Sequence, residues 1–353
     1  MSYILITVAI LVLVIFAMIV RTVNLLEVFS GSFYKRAGTS NKVNALLFPI
    51  TFILGTIAIV WSYSSASKEF LPAPSSVHGK EVDFIFWLDM GIIVFVFVAT
   101  HILLFFFPYM YQFKEGRKAY YYPDNNKLEV IWTTIPAIVL AVLVFTGWRV
   151  WTDITGEAPK SAYNIEIVGK QFNWMVRYPG TDGIIGKHNF RKIDALNEVG
   201  IDFDDKAALD DFMANEIHLP VGKPVELKIR ARDVLHSVFM PHFRVKMDAV
   251  PGMPTRFWFI PDKTTADMRT ELRNPNFNYE LACTEICGRN HFGMRKVIVV
   301  ESEEEYLEWL KSQEVFLAKN PDYIKNVPEK LRADAERIIS KKPAEGVPAQ
   351  AAL

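Results

Sequence analysis

Four long apolar stretches fill most of the first 151 residues, and they constrain the fold of this 353-residue chain more than any other feature. Each approaches the roughly 20 apolar residues that a helix needs to cross a bilayer. The sequence therefore predicts a membrane α-helical N-terminal region with four transmembrane helices, at about Tyr3–Val20, Ala45–Tyr63, Phe84–Phe107 and Val130–Trp151.

The first stretch has a second interpretation, as a cleaved signal peptide. No basic residue precedes it and no small-x-small cleavage site follows it, so we expect a retained helix. The loops after the first and third stretches each carry four basic residues, whereas the loop after the second balances Lys68 and Lys80 with Glu69 and Glu81. Because basic loops stay in the cytoplasm, both termini and everything after Trp151 are predicted to lie outside.

Beyond residue 156 the sequence changes to short alternating or β-branched runs that proline and glycine separate. Runs of this kind predict the strands of an all-β sandwich or barrel. The runs are Tyr163–Val168, Phe172–Arg177, Val225–Arg230, Arg256–Ile260, Tyr279–Cys283 and Val297–Val300. From Glu301 the pattern predicts an amphipathic helix, and the Pro- and Ala-rich Lys341–Leu353 is predicted to be mobile.

Residues 194–216, here named the acidic segment, carry eight acidic residues and one basic residue, Lys206. One interpretation is a solvated loop with a short helix near Lys206–Ala214. The other is a docking surface that attracts a basic partner by electrostatic steering. The formal net charge of the whole chain is zero, so nothing in the overall balance indicates a nucleic-acid partner.

The two cysteines of the chain lie in the run Cys283-Thr-Glu-Ile-Cys287-Gly-Arg-Asn-His291-Phe-Gly-Met294, and His236 lies about fifty residues earlier. Alone, the cysteine pair is compatible with a disulfide or, with two histidines, a structural zinc site. The added histidine and methionine favour a metal, and the thioether favours copper over zinc. Two thiolates, two imidazoles and one thioether are enough soft donors to hold two copper ions.

This run resembles the binuclear copper (CuA) motif of subunit II of haem-copper cytochrome c oxidases. Four further segments resemble the same family, and the resemblance covers roughly residues 80–310. They are Glu129-Val-Ile-Trp132-Thr-Thr-Ile-Pro136-Ala, Gly169-Lys-Gln-Phe-Asn-Trp174, Asp233-Val-Leu-His236-Ser and Lys246-Met-Asp248-Ala-Val-Pro-Gly252.

The resemblance implies a cupredoxin-like Greek-key domain with Cys283 and Cys287 bridging two copper ions, capped by His236 and His291, with Met294 as a weak axial ligand. It implies that Glu285 offers its backbone carbonyl to copper and its carboxylate to a magnesium ion shared with the catalytic subunit. The implied domains are an extra membrane hairpin (1–75), the family's membrane hairpin (76–155), the copper domain (156–300) and a C-terminal helix with its tail (301–353).

Two further residues acquire expected roles from the resemblance. Glu129 is expected to mark a proton entry point toward the catalytic subunit; its alternative role is a carboxylate that stabilises the N-terminus of a helix. The tryptophan that usually receives electrons from cytochrome c in this family is replaced here by Phe172, so that only Trp174 remains in the stretch.

The expected function is that of subunit II of a bacterial inner-membrane cytochrome c oxidase, which takes electrons from a soluble or tethered c-type cytochrome. Haems would lie in a partner subunit, since the chain has no Cys-x-x-Cys-His motif. A copper-free quinol oxidase subunit disagrees with the retained ligands. A nitrous oxide reductase would need many more than the seven histidines present. A free-standing copper carrier or assembly protein has no use for Glu129 or Glu285.

Overall fold

The computed structural model describes residues 2–31 and 39–340. Its first part consists of four long helices, α1 (Ser2–Phe29), α2 (Thr39–Phe70), α3 (Val77–Met110) and α4 (Asn126–Ile154). All four are long and apolar enough to span a membrane, which confirms the prediction of four transmembrane helices. The tail that was predicted to be mobile, Lys341–Leu353, lies outside the described residues.

Hydroxyl groups inside the apolar helices bond to the carbonyls of their own helix. The Oγ1 atoms of Thr56, Thr100 and Thr146 donate to carbonyls four residues earlier, at 2.7–2.8 Å. A hydroxyl that is satisfied in this way does not need water. These threonines are therefore compatible with a hydrocarbon environment.

The chain divides into two compact units. The first comprises the residues up to Leu71 and Trp87–Val139, and the second comprises Pro72–Phe86 and everything from Leu140 onward. The second unit contains all ten strands, which are β1 (Tyr163–Lys170), β2 (Asn173–Tyr178), β3 (Phe212–Ala214), β4 (Ile217–Pro220), β5 (Val225–Ala231), β6 (His236–Met240), β7 (Val245–Ala249), β8 (Thr255–Phe259), β9 (Tyr279–Cys283) and β10 (Arg295–Glu301).

The strands form two five-stranded sheets, in the orders β3-β2-β1-β5-β8 and β4-β10-β9-β6-β7. The pairs β1–β5 and β4–β10 are parallel and the other pairs are antiparallel. The connections β3–β4, β4–β5, β5–β6, β7–β8 and β8–β9 pass from one sheet to the other. This double sheet confirms the predicted cupredoxin-like, all-β domain, and all six predicted strands are present within two residues of their predicted ends.

A hydrophobic core lies between the sheets. Alternate residues of β1 and β5 point into it, so that Ile165, Ile167, Leu227 and Ile229 are fully buried. Each side chain of this size contributes about 1.5–3 kcal/mol when it is removed from water. The residues between them therefore point to the opposite face of the first sheet.

A second, smaller core covers that opposite face. Val168 and Met175 of the sheet pack with apolar residues of the acidic segment and of three C-terminal elements. These elements are α7 (Phe316–Lys319), the 3-10 helix Pro321–Asn326 and α8 (Glu329–Ile339). The acidic segment is thus a folded cover rather than a solvated loop. The cluster members from outside the sheet are Val199, Ile201, Phe203, Ala208, Leu209, Phe316, Leu317, Tyr323, Val327 and Ala335.

The helix that was predicted near Lys206–Ala214 is only partly correct. A 3-10 helix spans Lys206–Leu209, and Asp205 accepts a hydrogen bond from the amide of Ala207 at its start. The chain then becomes β3, because Phe212–Ala214 pairs with β2. Strand pairing thus ends the helix after one turn.

Two more helices complete the second unit: α5 (Thr265–Glu271) and α6 (Glu303–Ser312). α6 begins with a capping box between Ser302 and Glu305 and buries Tyr306 in the main core. A reciprocal pair of this kind satisfies two of the free amides at a helix start. The amphipathic pattern after Glu301 therefore corresponds to a helix with one buried face.

Candidate metal centre

Strand pairing brings distant donors to one end of the β domain. β9 ends at Cys283 and β10 begins at Arg295, so that Cys287, His291 and Met294 lie on the loop between two paired strands. β6 begins at His236 and pairs with β9, with Val238 opposite Cys283. The amide of Cys283 also donates to the carbonyl of Met294, at 3.2 Å, which closes the loop at its base.

The soft donor atoms form one cluster. The Sγ atom of Cys283 lies 3.9 Å from Nδ1 of His236, and the Sγ atom of Cys287 lies 3.7 Å from Nδ1 of His291. The Sδ atom of Met294 is 3.9 Å from Sγ of Cys287. The ligand atoms of His236, Cys283 and Cys287 lie within 4.8 Å of one another. Five of the predicted ligands are therefore brought together.

Glu285 contributes its backbone to the same place. Its carbonyl oxygen lies 3.3 Å from Sγ of Cys283. Its side chain is exposed. The backbone carbonyl of Glu285 thus faces the buried cluster, whereas its carboxylate lies at the surface.

Most of the cluster is buried, and no lysine or arginine among residues 2–31 and 39–340 bonds to either thiol. His236 is fully buried, and Cys283, Cys287 and Met294 are less than a tenth exposed. Both cysteines are free, so they do not form the disulfide that the sequence left open. Burial, together with the nearby Cys283 sulfur, raises the pKa of Cys287 to about 11. A bound cation would offset the cost of ionising a thiol in this buried place. A donor set of sulfur and imidazole fits a soft metal ion.

A carboxylate that the sequence analysis did not single out orients one imidazole. Oδ1 of Asp233 lies 2.9 Å from Nε2 of His236, which leaves Nδ1 directed toward Cys283. Burial would raise the pKa of Asp233, but hydrogen bonds from the Gln171 amide, His236 and the Val234 amide lower it overall. The available signal was the Asp-x-x-His spacing before the first ligand.

The end of β1 at Gly169 and the turn residue Gln171 support the cluster from the adjacent sheet. The Gln171 amide donates to Asp233 Oδ2 at 2.7 Å, and its side-chain Nε2 donates to the carbonyl of Cys287 at 2.5 Å. A Cβ atom on Gly169 would lie 2.7 Å from Cδ2 of His236. Only glycine therefore allows the strand to pass this close to the imidazole.

Trp174 lies beneath the cluster rather than at the surface. It is fully buried in β2, its Nε1 donates to the carbonyl of Met294 at 3.3 Å, and its ring centroid is 5.8 Å from that of His236. Phe172 is half-buried and packs against the main core. The loop between β9 and β10, residues 284–294, is here named the metal loop. Its exposed large apolar side chains are Ile286 and Phe292, which are 86% and 77% exposed.

Glu129 belongs to the first unit, where it lies in the first turn of α4. The side chain of Asn125 accepts a hydrogen bond from the amide of Leu128 at the same helix end. An acidic residue here stabilises the positive end of the helix dipole. This placement agrees with the alternative role that the sequence left open and does not test the proton role.

The fold and the donor cluster define a class: a chain with four membrane-type helices and a cupredoxin-like domain that carries a soft-ligand metal site. The chain belongs to the cytochrome c oxidase subunit II family. Family profiles described as the periplasmic domain and the transmembrane domain of cytochrome c oxidase subunit II match residues 163–302 and 65–150. Membership of this family implies copper of the CuA type in the domain.

Two individual relatives and one solved structure are similar to parts of this chain. The alternative cytochrome c oxidase subunit 2 of Bradyrhizobium diazoefficiens is 36% identical, over 67% of this chain and 79% of that protein. A cytochrome c oxidase subunit 2 of Cereibacter sphaeroides is 27% identical, over 64% and 75%. The crystal structure of the periplasmic domain of subunit II of cytochrome oxidase from Bradyrhizobium japonicum is 29% identical, over 44% of this chain and 95% of that structure, with a TM-score of 0.30.

Proposed function

We propose that this chain is the electron-entry subunit of a respiratory cytochrome c oxidase in the inner membrane of a bacterium. It accepts electrons from a c-type cytochrome on the periplasmic face. It passes them to a haem-bearing subunit I, where oxygen reduction is coupled to proton pumping. The observation that carries the proposal is the cluster of two thiols, two imidazoles and a thioether at one end of the β domain.

In this proposal two copper ions are held by six groups. The thiolates of Cys283 and Cys287, the imidazoles of His236 and His291, the Met294 thioether and the Glu285 carbonyl would hold them. A binuclear copper centre of this kind supplies one-electron transfer with little reorganisation, because the electron is shared between two ions. The protein holds the donors in a buried place and excludes water from them.

The supporting residues act on position. Asp233 fixes the orientation of the His236 ring, and Gln171 ties Asp233 to the carbonyl of Cys287. Trp174 contacts both the His236 ring and the Met294 backbone, so we propose that it forms part of the electron path beneath the cluster. Phe172, Ile286 and Phe292 offer apolar contact to the donor, soluble or tethered.

Two carboxylates complete the proposal. The exposed side chain of Glu285 is available for a magnesium ion shared with subunit I, since carboxylate oxygen is a ligand that magnesium prefers. Glu129, exposed at the start of α4, would admit protons toward the same subunit. Glu129→Gln should then slow turnover and leave reduction of the copper unchanged. Equal turnover of wild type and variant across pH would leave only the helix-stabilising role.

The deciding experiment is isolation of the full chain with its native partners from membranes. We expect a haem-bearing subunit to co-purify, two copper ions per chain, a mixed-valence binuclear EPR signal and oxidation of reduced cytochrome c with oxygen consumption. Trp258→Phe, which changes a side chain on the outer face of β8, is a control that should retain all four. A copper-loaded chain that purifies without any haem protein would instead indicate a carrier or assembly protein.

A further inference from the structure

A cavity of about 730 Å³ opens on the face of the first sheet that points away from the main core. Its walls come from β1, β2, β5, β7 and β8, from the loop around Gly186, from Trp151 of α4 and from Thr155 just after that helix. None of the copper donors lines it. It is therefore a separate feature of the β domain.

The floor of this cavity is a row of charged residues on four neighbouring strands. Arg177, Glu166, Lys228 and Arg256 are direct cross-strand neighbours in that order. Arg177 and Arg230 both pair with Glu166, at 2.6 and 2.7 Å, so that this carboxylate is already shared by two cations. Both arginines and Glu166 are buried.

The other half of the row has no counter-charge. Lys228 and Arg256 lie directly opposite each other on antiparallel strands, an arrangement of like charges that destabilises a sheet. Within the described part of the chain neither forms an ion pair. Arg256 bonds only through Nε, to the carbonyl of Thr155 at 3.1 Å, so its two terminal nitrogens are available. The cavity lining also contains Glu226, so it carries four cationic side chains and two carboxylates, and one of the cations, Arg177, also pairs with Asp211 at 3.2 Å.

An oxyanion with several acceptor atoms fits this arrangement, because a guanidinium fork and an ammonium can share one phosphate group. The position of the cavity suggests the source. Trp151 is 52% exposed at the C-terminal end of α4, where the predicted topology puts the outer surface of the bilayer. We propose that the cavity binds the phosphate of an anionic phospholipid from the outer leaflet. The proposal rests on the periplasmic location of the domain but not on its copper.

The test uses the full chain purified in neutral detergent and titrated with phosphatidylglycerol, with bound lipid counted by native mass spectrometry. The variant is Lys228→Gln with Arg256→Gln. The control, Lys311→Gln with Lys330→Gln, removes the same charge from exposed positions on α6 and α8. We expect the first pair to weaken binding about 30-fold, since each basic residue near an anionic lipid contributes roughly fivefold. The control should change it less than about twofold.

A thermal unfolding measurement separates binding from folding. Without lipid, the Lys228→Gln/Arg256→Gln variant should unfold at or above the wild-type temperature, because repulsion across the strands is removed. With phosphatidylglycerol only the wild type and the control should gain stability. A lower lipid-free unfolding temperature of the variant would show that the two charges serve folding, and it would overturn the proposal.

Three other outcomes would also overturn it. Equal lipid binding by wild type and variant would mean that the charges are merely solvated. Displacement of the lipid by millimolar inorganic phosphate, with the same thermal stabilisation from phosphate alone, would identify free phosphate as the ligand. Loss of a partner subunit from the purified complex, with lipid binding unchanged, would identify an acidic protein segment as the occupant.

Discussion

The metal loop and the acidic segment are both rich in potential ligands, but they differ in where their partners come from. At the metal loop the donors contact chiefly one another, and in the part of the chain that the structure describes no lysine or arginine bonds to either thiol. In the acidic segment the carboxylates are bound internally. Arg177 pairs with Asp211, and Lys192 pairs with Asp202 and Asp204. Donors whose charge the fold leaves unmatched require an external ion.

This difference changes how the acidic segment is interpreted. Asp210 and Asp211 are buried, at 7% and 0% exposure, so neither presents its charge to a partner. Asp194 accepts a hydrogen bond from the Tyr323 hydroxyl at 2.7 Å, and Glu198 pairs with Lys170. Many of the carboxylates that indicated a docking surface in the sequence are thus buried or bonded to other residues around the second core. The experiments below test that contrast.

The largest effect is expected at the thiols. Cys283→Ser or Cys287→Ser should abolish the binuclear copper signal, because an alkoxide does not replace a bridging thiolate. Met294→Leu should retain copper and raise its reduction potential, because a weak axial donor is lost. Met247→Leu, in β7, is the control. Copper content and EPR spectra measure both effects, and two intact copper ions after Cys287→Ser would refute the ligand assignment.

The next largest effect is expected on stability. Arg177→Met removes a buried guanidinium that bonds to Glu166, Asp211 and the carbonyl of Gly186. Breaking a buried ion pair typically costs about 3–5 kcal/mol, and we expect about 3 because Arg230 still neutralises Glu166. Denaturant unfolding of the full chain measures the free energy.

The exposed Arg191→Met is the matched control for that change and should cost less than about 0.5 kcal/mol. A loss of similar size in both variants would contradict the contrast. It would mean that the charges of the cover are interchangeable with surface charges.

The sequence predicted the parts of this structure that depend on local pattern. Four apolar stretches became helices and the run Tyr279–Cys283 became β9 without any shift of its ends. β3 and β4 were missed because three or four residues do not establish an alternation. β6 was missed because its first residue, His236, was interpreted as a metal ligand and not as the beginning of a strand.

The site divides in the same way. The soft donors of the loop were predictable because their spacing is itself the signal. His236 lies about fifty residues earlier, so it was singled out as a matching soft donor, and the resemblance of its segment to the family supported it. Asp233 and the cavity around Lys228 were not predicted. Their roles depend on the cross-strand register and on which carboxylates already form ion pairs, and both are tertiary properties.

A smaller effect is expected on metal affinity. Asp233→Asn keeps the shape of the group that contacts His236 but removes its charge. Loss of such a partner typically weakens metal binding about 10- to 100-fold. Copper competition against a chelator measures the affinity of the full chain. Glu280→Gln, an exposed acid on β9, is the control, and an equal affinity in both variants would show that Asp233 has no part in holding the ring.

The pH dependence of stability should be altered at Asp211. Burial raises its pKa to about 8, although Arg177 acts in the opposite direction. A carboxyl whose pKa is higher in the folded than in the unfolded state binds its proton more tightly when folded. Its contribution to stability is therefore complete below about pH 4 and is lost as the pH rises toward 8.

Asp211→Asn replaces the carboxyl with an amide that does not titrate. The free energy of unfolding of the wild type, relative to that of the variant, should therefore fall across this pH range, by at most about 1.4 kcal/mol per pH unit. A difference between wild type and Asp211→Asn that is constant with pH would contradict the raised pKa.

The smallest effect is expected at the surface of the acidic segment. Asp204 is 62% exposed and pairs with Lys192 at 2.7 Å, so its charge is partly neutralised. Neutralising it should change the rate of oxidation of a soluble basic cytochrome c by less than about twofold, because an exposed paired charge adds little to the field. A tethered donor should respond to neither this change nor salt, since tethering raises its effective concentration. A large fall in the oxidation rate of the variant at low ionic strength, absent at high salt, would identify the acidic segment as the docking site for a soluble donor. The contrast with the metal loop would then apply only to the buried carboxylates of the segment.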